Sequence, residues 1–300
     1  MAHRPTLKQL NYLCAVAKFR HFGQAAKSCH VSQPTLSAGI AELEDNLGVT
    51  LVERDNKNVL LTDIGHSVVA RAQRILTHVD DLVSLAESAG KPFTGSLHLG
   101  VIPTIAPFLL PQFLPRFRKK YPDCQLFIRE DLSANLLERL RAGELDVVLL
   151  ALPYPTEGLD VEHLFYDEFL LAYYEQHPLA EKTPLLSRDL QGRDVLLLED
   201  GHCLRDHALE ACRLSERDVT APYQATSLNT IVQMVANQIG VTLLPKMALD
   251  GKILAGTQVK TRGFDKETVQ RSIGLAWRKH SPRRDEFLLL GEFIGQQKRT

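Results

Sequence analysis

The chain has 300 residues, of which 44% are hydrophobic and 24% charged, and its formal net charge is −1. That length can bury two or three domain cores, and the near-neutral balance excludes a broadly basic nucleic-acid binder. A small DNA-reading module is still compatible, because residues 1–60 carry seven Lys/Arg against five Asp/Glu.

No apolar run backs Met1-Ala2-His3-Arg4-Pro5 or approaches the length of a membrane span, so a cytoplasmic protein without a membrane partner is expected. Five cysteines fit no disulfide scaffold and would be kept reduced there. Cys14, Cys29 and Cys124 lie in apolar or helical contexts and read as packing residues.

Thr6 suits the N-cap of a helix carrying Leu7, Leu10, Leu13, Val16 and Ala17 at helical spacing. A short helix fits Phe22 to Ser28. After a break at Cys29-His30-Val31, Ser32 caps a third helix with Pro34 in its first turn and Gly48 closing it after Leu47. This succession is the helix-turn-helix plan. Thr50–Arg54, a polar turn at Asp55-Asn56-Lys57-Asn58, and Val59-Leu60-Leu61 add a hairpin, or wing. Thr62 caps a long helix from Asp63 to about Ala89. Its stripe of Ile64, Val68, Ala72, Ile75, Val79, Leu82 and Ala86 calls for a second copy of itself or for the rest of the chain. Gly90-Lys91-Pro92-Phe93-Thr94-Gly95 reads as a hinge.

Strands then alternate with helices: strand Ser96–Ile102, helix Leu109–Tyr121, strand Gln125–Arg129, helix Ala134–Ala142, strand Asp146–Leu152. A second set takes strands Glu168–Glu175 and Val195–Glu199, helices from Cys203 and over Leu228–Gln238, and strand Val241–Leu244. Ser272–Trp277 and a helix over Asp285–Gln297 return to the first sheet. The alternation predicts α/β architecture around a mostly parallel sheet. No Gly-rich nucleotide loop appears, and no cofactor is expected.

Cys203 and Cys212 stand nine residues apart in a run that reads as helix. A continuous helix would separate them by about 13–14 Å, on opposite faces. A disulfide needs Cα atoms within about 7 Å, so they can join only if the segment refolds. Three readings are open from the residues: a redox pair, two packing cysteines, or metal ligands drawn from His202, Cys203, His207 and Cys212.

The stretch Phe22-Gly23-Gln24-Ala25-Ala26, Val31-Ser32-Gln33-Pro34-Thr35-Leu36-Ser37, Leu47–Arg54 and Leu61-Thr62-Asp63-Ile64-Gly65 resembles the LysR-type transcriptional regulators. The resemblance implies a winged helix-turn-helix (1–62), a dimerising linker helix (63–90) and a periplasmic-binding-protein-like effector domain. That domain would have two α/β subdomains, 95–167 with 271–300 and 168–270. Ser32, Gln33, Pro34, Thr35 and Ser37 would face the major groove of double-stranded promoter DNA, and Arg54 and Lys57 its backbone. Ser32 and Thr35 also read as plain cap residues. Many relatives carry Lys or Arg within the recognition helix, where this chain has Ala38-Gly39-Ile40-Ala41-Glu42. Weaker phosphate attraction follows, with more reliance on a multi-site oligomer.

Gly201-His202-Cys203-Leu204-Arg205-Asp206 with Cys212, supported by Ile102-Pro103-Thr104 and Arg271-Ser272-Ile273-Gly274-Leu275, looks like the peroxide-sensing members of that family. This implies hydrogen peroxide as the signal, Cys203 as the oxidised thiol and Cys212 as the one that resolves it. Thr104, Ser133, His202 and Arg271 would hold the peroxide. A helix N-terminus with His202 and Arg205 nearby would lower the Cys203 pKa. Arg205 and Asp206 read as surface pairs or helix caps. His207 stands where such members are expected to carry Gln. A homotetramer of linker-helix dimers, RNA polymerase as a further partner, no resident metal and no enzymatic turnover complete the expectation.

Overall fold

The computed structural model describes residues 4–54, 59–87, 92–213 and 224–296. The chain divides into two compact units, 1–87 and 88–300.

In the first unit, α1 (Leu7–Phe19) begins at Thr6, which with Gln9 forms a reciprocal capping box. Helix α2 (Phe22–Ser28) is capped by His21 Nδ1, which accepts from the amides of Gly23 and Gln24. Helix α3 (Gln33–Leu47) begins at Ser32, whose hydroxyl accepts from Thr35 N at 3.2 Å, and ends at Gly48 in left-handed backbone, φ 66°. Leu36, Ile40 and Leu43 of α3 pack on Leu10, Leu13 and Val16 of α1 in one core. The wing pairs β1 (Val52–Arg54) with β2 (Val59–Leu61) antiparallel. Glu44 Oε1 holds its entry by accepting from the amides of Leu51 and Val52.

Helix α4 (Asp63–Glu87) is capped by Thr62 Oγ1, which accepts from Gly65 N at 2.9 Å. A Cβ on Gly65 would lie 2.2 Å from the Leu51 carbonyl oxygen, so only glycine lets the helix start this close to the wing. The apolar stripe of α4 splits. Val68, Val69, Ala72 and Leu76 join the core of this unit, whereas Ile64, Ile75, Leu82 and Val83 are exposed.

In the second unit, β3 (Gly95–Val101), α5 (Ala106–Lys120), β4 (Cys124–Glu130), α6 (Ser133–Arg141) and β5 (Val147–Leu152) come first. After them run β6 (Leu159–Tyr173), β7 (Leu197–Leu198), α7 (Cys203–Ala211), β8 (Gln224–Ala225) and α8 (Leu228–Ala236). The unit ends with β9 (Thr242–Pro245), α9 (Lys246–Asp250), β10 (Lys260–Arg262), β11 (Gln270–Arg278) and α10 (Arg284–Gly295). The main sheet has the order β10–β6–β11–β5–β3–β4, with β9 also paired to β6.

The expected mostly parallel sheet is corrected here. Strands β4 and β5 flank β3 in parallel, but β11 runs antiparallel to both β5 and β6, and β9 and β10 run antiparallel to β6. Buried strands read as the same apolar run in either direction; where the chain returns decides. The expected strand Glu168–Glu175 is the far half of the 15-residue β6. That strand pairs first with β11 and then, from Phe169 onward, with β9 and β10. Thus β6 changes partners along its length, and Arg271 sits opposite Asp167 just before that change.

Candidate functional site

Gly201, at φ 94°, makes the turn that leads into α7. His202 is the N-cap in extended backbone, and Cys203 is the first helical residue. Thr104 lies on the loop between β3 and α5, Ser133 opens α6, and Arg271 is the second residue of β11. The four side chains expected around Cys203 are all buried, as is the thiol. Pro103, Thr104, Leu132, Ser133, His202 and Cys203 line a cleft that is closed down in this conformation, with no room for a water molecule. Arg271 stands behind that cleft: its Nη1 donates to Thr104 Oγ1 at 2.9 Å and its Nη2 to the Thr104 carbonyl at 3.1 Å.

The sequence reading missed Asp167. Its Oδ2 accepts from Arg271 Nε at 3.1 Å and Nη2 at 3.0 Å, and its Oδ1 from the Met247 amide at 3.0 Å. Both charged side chains are fully buried. A buried ion pair is tolerable only when its remaining donors and acceptors are satisfied, and these bonds do most of that. The available signal was the pair of carboxylates, Asp167 and Glu168, set between the apolar runs Leu164-Phe165-Tyr166 and Phe169-Leu170-Leu171.

The electrostatics of Cys203 differ in sign from the expectation. Burial pushes its pKa up, and this outweighs the Ser133 hydroxyl, the Arg271 charge and the Ala151 backbone, all of which draw it down. The Ser133 hydroxyl lies close enough to the sulfur to stabilise a thiolate, although no formed hydrogen bond engages it in this conformation. Arg205, cited in the sequence as an activating cation, instead pairs with Asp200 at 2.9 Å. Asp206 is exposed in the first turn of α7. Burial lowers the His202 pKa, which favours a neutral imidazole beside the sulfur.

Cys212 is the C-cap of α7 and is buried. Its pKa is pushed up to about 12 by burial and by the Glu267 charge. Both thiols are free, and the helix between them spans about 13–14 Å. His207 Nε2 lies 2.9 Å from the Pro153 carbonyl oxygen. A carbonyl can only accept, so Nε2 carries the hydrogen. Nδ1 is buried without a hydrogen-bond partner, and burial lowers the pKa of the ring. Among the described residues, no three His, Cys, Asp or Glu side chains converge as metal ligands.

In the first unit, Ser32, Gln33, Pro34 and Thr35 are exposed on the opening turn of α3, and Ser37 is half-buried. The Ser32 and Thr35 hydroxyls lie 2.7 Å apart, so Ser32 caps the helix and contacts the next exposed hydroxyl. Arg54 ends β1, with its side chain outside the described residues, and Lys57 also lies outside them.

Residues 7–66 match the family model described as a bacterial regulatory helix-turn-helix protein of the lysR family, and residues 90–299 match that of the LysR substrate binding domain. The chain belongs to the LysR family. This LysR-type regulator is 42% identical to the HTH-type transcriptional regulator EstR of Acinetobacter baylyi, over 96% of its own length and 95% of the relative's. It is 41% identical to the hydrogen peroxide-inducible genes activator of Escherichia coli O157:H7, over 96% of its own length and 94% of the relative's. A solved Cys-to-Asp variant of full-length OxyR from Pseudomonas aeruginosa superposes with a TM-score of 0.78 at 36% identity, covering 97% of this chain and 95% of that one. EstR and the peroxide-inducible activator match this LysR-type chain almost equally, so overall identity does not decide its signal. The cleft around Cys203 bears on that question directly.

Proposed function

We propose that this LysR-type regulator responds to hydrogen peroxide through Cys203, with Cys212 as the second thiol. The observation that carries the reading is the buried cleft that groups Thr104, Ser133 and His202 about the sulfur, with Arg271 bonded to Thr104. The cleft holds no room for a water molecule as it stands, so it must yield slightly to admit its ligand, and a very small polar molecule such as hydrogen peroxide asks for the least opening. The Cys203 thiolate takes one oxygen of the peroxide and becomes a sulfenic acid. The O–O bond breaks, and the leaving hydroxide takes up the proton lost by the thiol and departs as water. Donors aimed at the leaving oxygen lower that barrier. Condensation with the Cys212 thiol then forms the S–S bond and releases a second water.

This last step requires α7 to unwind, because its length holds the thiols apart. The unwinding changes how the two halves of the second unit, which we take as 95–167 with 271–300 and 168–270, sit about the change of partners along β6. Peroxide is consumed stoichiometrically as a signal, without turnover. Output passes to promoter DNA through residues 1–62, with the opening turn of α3 in the major groove. The exposed Ile64, Ile75, Leu82 and Val83 of α4 support pairing with a second copy. A tetramer of such dimers and contact with RNA polymerase complete the reading.

The test is non-reducing peptide mapping before and after one equivalent of hydrogen peroxide. A Cys203–Cys212 disulfide is expected; an unmodified Cys203 would overturn the reading.

A further inference from the structure

Arg271 has five N–H hydrogens and can only donate. Four are committed: Nε and one Nη2 hydrogen to Asp167 Oδ2, the other Nη2 hydrogen to the Thr104 carbonyl, and one Nη1 hydrogen to Thr104 Oγ1. Thr104 Oγ1 therefore accepts in that contact, and its own hydrogen is left to point elsewhere. Thr104 lines the cleft beside Cys203, so the cleft is where that hydrogen is available. What fixes the direction is the grip on the far side of the guanidinium. Asp167 is itself held from a third direction by the Met247 amide at the start of α9. The carboxylate cannot swing without breaking a bond to α9, and the guanidinium plane cannot turn without breaking two bonds to the carboxylate.

We propose that Asp167 is a positioning residue of the thiol cleft: by locking Arg271 it makes the Thr104 hydroxyl a donor aimed at the leaving oxygen of the peroxide as Cys203 attacks the other. The proposal rests on the peroxide reading above and deepens it. A carboxylate away from the sulfur acts through two intermediaries, Arg271 and Thr104. It also offsets the positive charge of Arg271, which otherwise acts on the thiol at full strength.

These two effects oppose each other, and that gives a signature. In the full-length protein, Asp167→Asn keeps the shape but removes the charge and half of the carboxylate grip. Oxidation of Cys203 by hydrogen peroxide should slow about tenfold, as expected for a misaligned donor. The pH midpoint of Cys203 alkylation by iodoacetamide should fall, because Arg271 has lost its counter-charge. Thr104→Val should slow oxidation comparably, and adding Asp167→Asn to it should cost little more, because the group being positioned is gone.

A purely structural Asp167 predicts otherwise, with losses that multiply and an unchanged alkylation midpoint; either result overturns the proposal. Where the Asn variant does not fold, Asp167→Glu replaces it in the same cycle. Glu keeps the charge but shifts the guanidinium, so oxidation should slow with the midpoint unmoved, and an unchanged rate overturns the proposal. Failure of the peroxide reading is a separate result. Cys203 in the unsubstituted chain would then resist peroxide, while the alkylation midpoints would still test the Asp167 grip.

Discussion

At one end of α7, Cys203 faces a hydroxyl, a guanidinium and a backbone group, each of which favours its thiolate. At the other end, Cys212 is equally buried but meets, among the described residues, only further desolvation and the negative charge of Glu267. The helix holds the two thiols apart and in opposite surroundings. The residue type alone therefore does not assign the roles. A thiol that burial has made weakly acidic becomes an attacker only where nearby donors offset that burial. Among the described residues no such donor serves Cys212, which is suited to act second, after it has left its packed position.

The largest effect follows from removing the better-served end. Cys203→Ser should abolish both the peroxide-dependent disulfide and the promoter response in a reporter assay. Cys14→Ser and Cys29→Ser should leave both intact. Burial holds the Cys14 thiol up at about 11, with Cys29 adding to the shift. A promoter response that survived Cys203→Ser would reverse the assignment of the two ends.

The next effect compares the ends directly. Competitive alkylation at pH 8, read by mass spectrometry, should label Cys203 about tenfold or more faster than Cys212, following the thiolate fraction and access of each. Ser133→Ala should narrow that gap. It removes the first of the influences that draw the Cys203 pKa down, so its thiolate fraction falls and Cys212 is unaffected. An unchanged Cys203 rate would mean that the hydroxyl serves packing alone.

How far this contrast was legible in the sequence depends on how far apart its parts lie in the chain. Helix α3 could be read because its signals are local: Ser32 caps it, Pro34 sits in its first turn and Gly48 takes the left-handed conformation that ends it. Likewise Cys203 could be placed at the start of α7. The sign of its pKa shift could not, because the burial that raises it comes from segments far away in the chain, among them Ile102-Pro103-Thr104 and Leu132-Ser133. Asp167 was missed for the same reason. It is 104 residues from Arg271 in sequence, and only the pairing of β6 with β11 brings them together. The direction of β11 failed too, since apolar strands carry no mark of polarity. The family pattern named Thr104, Ser133, His202 and Arg271, but it carried no information about what holds Arg271 still.

The smallest and most discriminating effect lies in the pH dependence of the second step. While α7 is intact, burial and Glu267 hold the Cys212 thiol at about 12. If Cys212 ionised in place, disulfide closure would accelerate about tenfold per pH unit well past pH 9, since the thiolate is the attacking form. The length of the helix argues against that order of events. Cys212 cannot reach Cys203 until α7 has opened, and opening returns the thiol to water, where its pKa relaxes towards about 8.5. The rate of closure, followed by quenched-flow mapping after a peroxide pulse, should therefore level off near the ordinary thiol value. In that case Glu267→Gln should change the closure rate by less than about threefold, because the charge acts on a state already left behind. A profile still climbing beyond pH 10, with a marked acceleration in Glu267→Gln, would mean that Cys212 ionises before the helix yields. The thiolate would then help to drive the unwinding rather than follow it.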